Sequence, residues 1–245
     1  MKVIVTNSYD ETCAVIANMI KELVNAKPDA KLGLATGGTP VPIYKKLIEM
    51  NKAGEVDFSR VHTVNLDEYC GIPGTHDQSY RYFMDTNLFD HINIDKKNTF
   101  VASGMGDFEA NARELEEKVR EGGAADLQLL GIGNNGHIAF NEASDHLIAV
   151  AHTEKLTEST INANARFFEK KEDVPTMAIT MGMGDILAAK KVVLAATGLA
   201  KVPAIKGLIM DDVITPQNPS TMLKMHDDAV VVIDRELADA VGYRA

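Results

Sequence analysis

Cysteine is scarce in this chain: only Cys13 and Cys70 occur in 245 residues. No CxxC pair is present, so the sequence offers no zinc-ligand spacing, and two thiols do not make a disulfide scaffold. The cytosol is the compartment this usage predicts. Long apolar runs are missing as well. No stretch approaches the roughly 18 apolar residues of a membrane-spanning helix, and the N-terminal MKVIVTNSYDET turns polar too soon for a secretory leader. Positive charge is in short supply: 25 Lys and Arg stand against 35 Asp and Glu, a formal net charge of −10. A basic surface for sequence-independent nucleic-acid binding is therefore not expected. An anionic small molecule would have to be held by a few local cations against the overall field. There is no repeat of fixed period and no Pro/Gly/Ser-rich linker, so residues 1–245 read as a single domain.

What the chain does contain is an ordinary globular balance, 45% apolar and 24% charged, at a length sufficient for a full core. Short β-rich apolar runs alternate with helical patterns. The strand candidates are Lys2–Thr6, Lys31–Ala35, Val61–Leu66, Asn98–Ala102, Leu127–Gly131, Ala149–Thr153, Thr176–Met181, Val192–Ala196 and Ala229–Ile233. Ser8-Tyr9-Asp10-Glu11 reads as a capping box that opens a helix with Val15, Ile16, Met19, Ile20 and Leu23 on its apolar face. Phe108–Arg120 reads as a charged helix with one face in solvent. Strand–helix alternation predicts an α/β fold with a mostly parallel sheet covered on both faces. Ligands of such sheets bind beyond the carboxyl ends of the strands, so the residues just after each strand carry the functional information.

After Lys31–Ala35 comes Thr36-Gly37-Gly38-Thr39-Pro40. Glycines let backbone amides approach a ligand, Thr39 is placed to cap the next helix, and free N–H groups at a helix start favour an anion. An ordinary strand–helix turn favours the same residues. After Val61–Leu66 come Asp67 and Glu68. A buried aspartate with a like charge beside it becomes a stronger base, although a solvated acidic turn would read identically. After Leu127–Gly131 the chain runs Gly131-Ile132-Gly133-Asn134-Asn135-Gly136-His137-Ile138-Ala139-Phe140-Asn141-Glu142. Its three glycines satisfy GxGxxG, a dinucleotide fingerprint, but no clear amphipathic helix follows. The same segment also reads as an exposed His137 with Glu142 placed to orient it and stabilise its protonated form. Arg166, and Lys201 after the strand Val192–Ala196, are candidate phosphate cations, the first as a bidentate fork and the second as a point charge. Each taken alone also fits a solvated surface charge.

Together, Leu34-Ala35-Thr36-Gly37-Gly38-Thr39-Pro40, Asn65-Leu66-Asp67-Glu68-Tyr69, Gly131 to Glu142 and Ala165-Arg166-Phe167-Phe168 resemble the glucosamine-6-phosphate deaminase family, in the right order over nearly the whole chain. The resemblance implies a Rossmann-like three-layer sandwich and conversion of glucosamine 6-phosphate and water to fructose 6-phosphate and ammonium. It implies Asp67 as the base that moves a proton from C2 to C1, and His137 as the group that opens the sugar ring, held by Glu142, with Asn135 in the same catalytic set. Thr36, Gly37, Gly38, Thr39, Arg166 and Lys201 would bind the phosphate. The implied partner is a small sugar phosphate, with no metal, organic cofactor, nucleic acid or membrane, in a monomer or homo-oligomer. Asn135 stands where many members carry Asp, and Ala143 where Pro is usual. Glu154 replaces a basic residue of allosteric members, so activation by an amino-sugar phosphate is not expected. A galactosamine 6-phosphate deaminase and a 6-phosphogluconolactonase-like hydrolase are the rival activities.

Overall fold

The computed structural model describes residues 1–244, apart from the side chains of Ala163 and Phe167. Its elements run β1 (Lys2–Thr6), α1 (Tyr9–Ala26), β2 (Lys31–Leu34), α2 (Val41–Lys52), β3 (His62–Asn65), β4 (Asp67–Tyr69), α3 (Tyr80–Asn87), β5 (Thr99–Phe100), α4 (Phe108–Arg120), β6 (Leu127–Leu130), β7 (His152–Lys155), α5 (Glu158–Asn164), β8 (Met177–Thr180), α6 (Met183–Leu187), β9 (Val192–Ala196), α7 (Val202–Ile209), β10 (Ala229–Asp234) and α8 (Arg235–Val241). Among the described residues, seven strands form one sheet in the order β1-β10-β9-β6-β2-β3-β5, and every pairing within it is parallel. All residues of β6, β9 and β10 are buried. Strands rich in Val, Leu and Ile on both faces require cover on both faces, which helices supply.

The order of the strands places the site. From β2 the chain steps outward through β3 to β5, then returns to β6 on the other side of β2 and steps away through β9 and β10. The reversal falls between β2 and β6, which pair at Leu32 with Leu127 and Gly33 with Gln128. Loops leaving the carboxyl ends of strands on either side of a reversal diverge and leave a crevice.

Two of the expected strands fit a different account. The strand expected at Ala149–Thr153 lies three residues later, at His152–Lys155. It joins β8 and the unforeseen β4 in a separate antiparallel sheet of order β4-β8-β7. Period-2 patterning does not say which sheet a strand joins. The capping box is also only half formed. Ser8 Oγ accepts from Glu11 N, but Glu11 Oε2 reaches back to the N–H of Asn7, one residue before the cap. In α1 the buried stripe is Thr12, Cys13, Ile16, Ala17, Ile20 and Val24, so Val15, Met19 and Leu23 lie at its flank. Helix α4 matches its expected span, capped by Asp107 and burying only Ala112, Leu115 and Val119.

Candidate active site

Four neighbouring strands of the sheet, β9, β6, β2 and β3, each deliver expected site residues just past their carboxyl ends. Loop 36–39 follows β2. Gly37 adopts φ +91°, which glycine tolerates best. A Cβ on Gly37 or Gly38 would meet no atom within 4 Å, so the backbone here borders open space. The loop is pinned from outside: Tyr9 Oη donates to Thr39 O at 2.6 Å. Thr39 does not cap α2, a correction to the expectation. Pro40 occupies the cap position and no side chain bonds the first turn, so its leading N–H groups are not taken by a cap.

Asp67 follows β3 after one residue and opens β4. It is only 7% exposed. Burial, and then the charge of Glu68, pushes its carboxyl up to about 8. The like-charge argument made from sequence thus holds, with burial as the larger cause. Burial also raises the Tyr44 phenol and the charge of Asp67 adds to this, which puts Tyr44 within electrostatic reach of Asp67. Glu68 points elsewhere. Its carboxylate accepts from the backbone N–H groups of Tyr69, Tyr80 and Arg81 at 2.8, 2.9 and 3.0 Å, the last two in the first turn of α3. Burial pushes Glu68 up to about 7 against these three donors.

The segment after β6 is a tight turn and not the start of a helix, which removes the dinucleotide reading. A Cβ on Gly133 would lie 2.2 Å from His137 Cε1, so the imidazole packs on the bare Cα of that glycine. Gly136 has φ +85°, and a Cβ there would lie 1.9 Å from Asn218 Oδ1. Ala139 takes φ 54°, the one non-glycine residue with positive φ among those described. Such strain concentrates where a side chain must be aimed. Asn218 was not foreseen. It bonds Ala204 O and Ser220 Oγ, and Ser220 N donates to Gly136 O, so residues 218–220 brace the turn from behind.

Glu142 is 6% exposed and is surrounded by donors. Asn135 Nδ2 donates to Oε2 at 3.0 Å, and His137 Nδ1 lies 3.5 Å from the same oxygen. Thr160 Oγ1 donates to Oε1, and Thr157 Oγ1 lies 3.3 Å from it. Burial opposes ionisation, but the imidazole, Thr160 and Asn135 outweigh it and hold the carboxyl at about 2. Glu142 therefore stays a carboxylate. Asn135 also accepts from His137 N through Oδ1 at 3.2 Å, so one amide orients both partners. The contact of 3.5 Å leaves His137 Nδ1 buried without a hydrogen bond of good geometry. Catalytic contacts commonly tighten on ligand binding.

Two stitches join this turn to Asp67. Phe140 N donates to Thr180 Oγ1 at 3.1 Å, and Thr180 is the cross-strand partner of Asp67. Asn141 Nδ2 donates to Met181 O, whose own N–H bonds Leu66 O. Tyr69, Tyr80 and Phe140 pack together beside them, with ring centroids 4.9 to 6.1 Å apart. Lys201 ends a short turn after β9, and Gly198 gives that turn its φ of +87°. Burial, and then the neighbouring charge of Arg166, lowers the pKa of Lys201. Arg166 itself is exposed, in the turn Ala165–Phe167 that continues α5. Two cations held close together favour a dianion between them. Among the described residues no three His, Cys, Asp or Glu side chains form a metal-binding group, and no helix is long and apolar enough to cross a membrane.

Known proteins resemble this chain over nearly its whole length. A family model described as glucosamine-6-phosphate isomerases/6-phosphogluconolactonase matches residues 6–232. A glucosamine-6-phosphate deaminase of Clostridium beijerinckii is 52% identical over 242 residues, 98% of this chain and 100% of that protein. A solved structure of a monomeric glucosamine-6-phosphate deaminase superposes with a TM-score of 0.95 at 39% identity, over 98% of this chain and 100% of that one. A 6-phosphogluconolactonase from Thermotoga maritima superposes with a TM-score of 0.75 at 20% identity, over 96% and 99% of the two chains. At that identity the likeness speaks for the fold alone.

Proposed function

The chain belongs to the glucosamine-6-phosphate isomerase/6-phosphogluconolactonase family, and from that premise we propose that it converts glucosamine 6-phosphate and water to fructose 6-phosphate and ammonium. The observation that carries this is Asp67, a largely buried carboxyl pushed up to about 8, stitched to the His137 turn through Thr180. A carboxyl near its usual value of about 3.9 is a weak base for a carbon acid, whereas this one approaches the basicity the reaction needs.

The phosphate enters loop 36–39, where the amides of Gly37 and Gly38 and the hydroxyls of Thr36 and Thr39 meet it, with Arg166 and Lys201 supplying positive charge. This contact is remote from C1 and C2 and its energy serves positioning. His137 protonates the ring oxygen and the ring opens to the aldehyde. Glu142, fixed as a carboxylate, orients the imidazole and stabilises its cation, and Asn135 holds the two in register. The amino group at C2, when protonated, brings a cation to Asp67 and favours its ionised form. Asp67 then takes the C2 proton, the electrons of that C–H bond form the C1–C2 double bond as the carbonyl π pair moves onto O1, and O1 takes the proton given up by the C2 ammonium, which leaves a neutral enolamine. Return of the proton to C1 leaves an imine at C2. Water adds to that carbon, and ammonium leaves as the ketone forms. The aldehyde of the open sugar acidifies C2 by itself. The experiment is ammonium release from glucosamine 6-phosphate, measured beside galactosamine 6-phosphate and 6-phosphogluconolactone. Ammonium and fructose 6-phosphate in equal amounts are expected from the first substrate. Lactone hydrolysis with no ammonium from either amino sugar overturns the proposal.

A further inference from the structure

Glu142 has two carboxylate oxygens, and the family resemblance accounts for the surroundings of only one. Oε2 faces Asn135 and His137. Oε1 faces two hydroxyls from a different part of the chain. Thr157 caps α5, its Oγ1 accepting from Thr160 N at 3.2 Å. Its own hydroxyl lies 3.1 Å from Thr160 Oγ1 and 3.3 Å from Glu142 Oε1. Thr160 is 5% exposed, and its hydroxyl bonds Glu142. Each hydroxyl has one proton to give. Thr160 gives its proton to Glu142, and Thr157, already accepting from the backbone, gives its own to Thr160 or directly to Glu142. The result is a short chain of hydroxyls ending on a buried anion, an arrangement whose bonds strengthen one another in a low dielectric.

We propose that Thr160 is a positioning residue for the reaction: its hydroxyl fixes the rotamer of Glu142 and through it the orientation of His137, with Thr157 polarising Thr160 from behind. The proposal rests on the role given to the His137–Glu142 pair above. The physical reason is that a carboxylate held at one oxygen only can still swing about its terminal torsion, which is broad. Fastening both oxygens removes that freedom. Helix α5 thus acts on the imidazole without touching it. The isosteric change Thr160→Val keeps the packing and removes the donor, while Thr160→Ser keeps the donor and loses only a methyl group.

The test is a double-mutant cycle read in two ways. In ammonium release, Thr160→Val lowers kcat about tenfold with KM within about twofold, and Thr160→Ser restores most of it. Placed on Glu142→Gln, Thr160→Val has no further effect on kcat, because its route to the imidazole is gone. The second readout needs no substrate. At fixed pH the ring 15N resonances of His137 move in Thr160→Val and return in Thr160→Ser, although no bond joins the two residues. Unmoved resonances and additive kcat losses overturn the proposal. A parent chain that releases no ammonium, with resonances that still respond, would overturn the assigned reaction and leave the positioning role intact. Comparable melting temperatures of the three single variants separate the effect from a folding defect.

Discussion

Asp67 and Glu68 are neighbours with opposite surroundings, and the difference defines the chemistry. Glu68 collects three backbone donors at the start of α3, whereas burial and its neighbour's charge push Asp67 up to about 8. Replacing Asp67 with Asn is expected to lower turnover about a thousandfold or more while KM stays within a few-fold, in steady-state ammonium release. The same change has a consequence for stability. Because the folded carboxyl titrates near 8 and the unfolded one near about 3.9, its contribution is complete below the lower value and is lost as pH rises through the upper. Asn cannot ionise, so Asp67→Asn gains stability over the parent as pH rises from 5 to 9, on the order of 4 kcal/mol at the top of that range. Urea unfolding at several pH values measures it, and a gain independent of pH would mean the buried charge is not the cause. Gly133→Ala is the matching test for His137. A Cβ 2.2 Å from the ring must displace the imidazole, and kcat is expected to fall about a hundredfold with phosphate affinity unchanged.

At the scale of elements, β2 and α4 are joined by one side chain that has no part in the site. Lys31 Nζ lies 2.7 to 3.0 Å from the carbonyls of Lys118, Val119, Glu121 and Gly123, which share its three N–H donors, acceptors left open where α4 ends. Lys31→Met keeps the stem and removes the donors. It is expected to destabilise the fold by about 1–3 kcal/mol in denaturant titration, with kcat unchanged. Elements of this kind show how far the sequence could be read. Strands such as Lys2–Thr6 and Val192–Ala196 announce themselves by unbroken β-branched and apolar runs, and both boundaries agree with the structure. The three-residue β4 does not, because Asp67-Glu68-Tyr69 has no apolar pattern and exists by pairing with β8. The site divides the same way. Asp67, His137 and Glu142 stand out by chemical type at strand ends. Thr157, Thr160, Thr180 and Asn218 are ordinary polar residues far away in sequence, and only tertiary contact gives them work. Thr157-Glu158-Ser159-Thr160 carried a helix-start pattern that could have marked the cap, but nothing in it points to Glu142.

For the whole molecule, the net charge of −10 and the paired cations Arg166 and Lys201 set a general repulsion against a local attraction. A sugar 6-phosphate that cannot react, such as glucitol 6-phosphate, binds only the folded chain and stabilises it by mass action. At a hundred times its Kd the gain is about 2.7 kcal/mol, or roughly 5–10 °C in melting temperature for a chain of this size. Lys201→Ala and Arg166→Ala should each remove most of that shift and weaken its dependence on salt. An undiminished shift in both would place the phosphate elsewhere. The sheet reversal between β2 and β6 is what makes such a site belong to the fold as a whole, since it gathers loops separated by more than a hundred residues.

The most direct measurement of the central claim follows the C2 proton itself. Glucosamine 6-phosphate deuterated at C2 is turned over by the parent chain and by Asp67→Asn, with ammonium timed and the C1 carbon of fructose 6-phosphate analysed for label. The account predicts slower release from the deuterated substrate, part of the deuterium at C1, and loss of turnover in Asp67→Asn. Turnover of Asp67→Asn within about tenfold of the parent, outside the range expected on removing a general base, would contradict it.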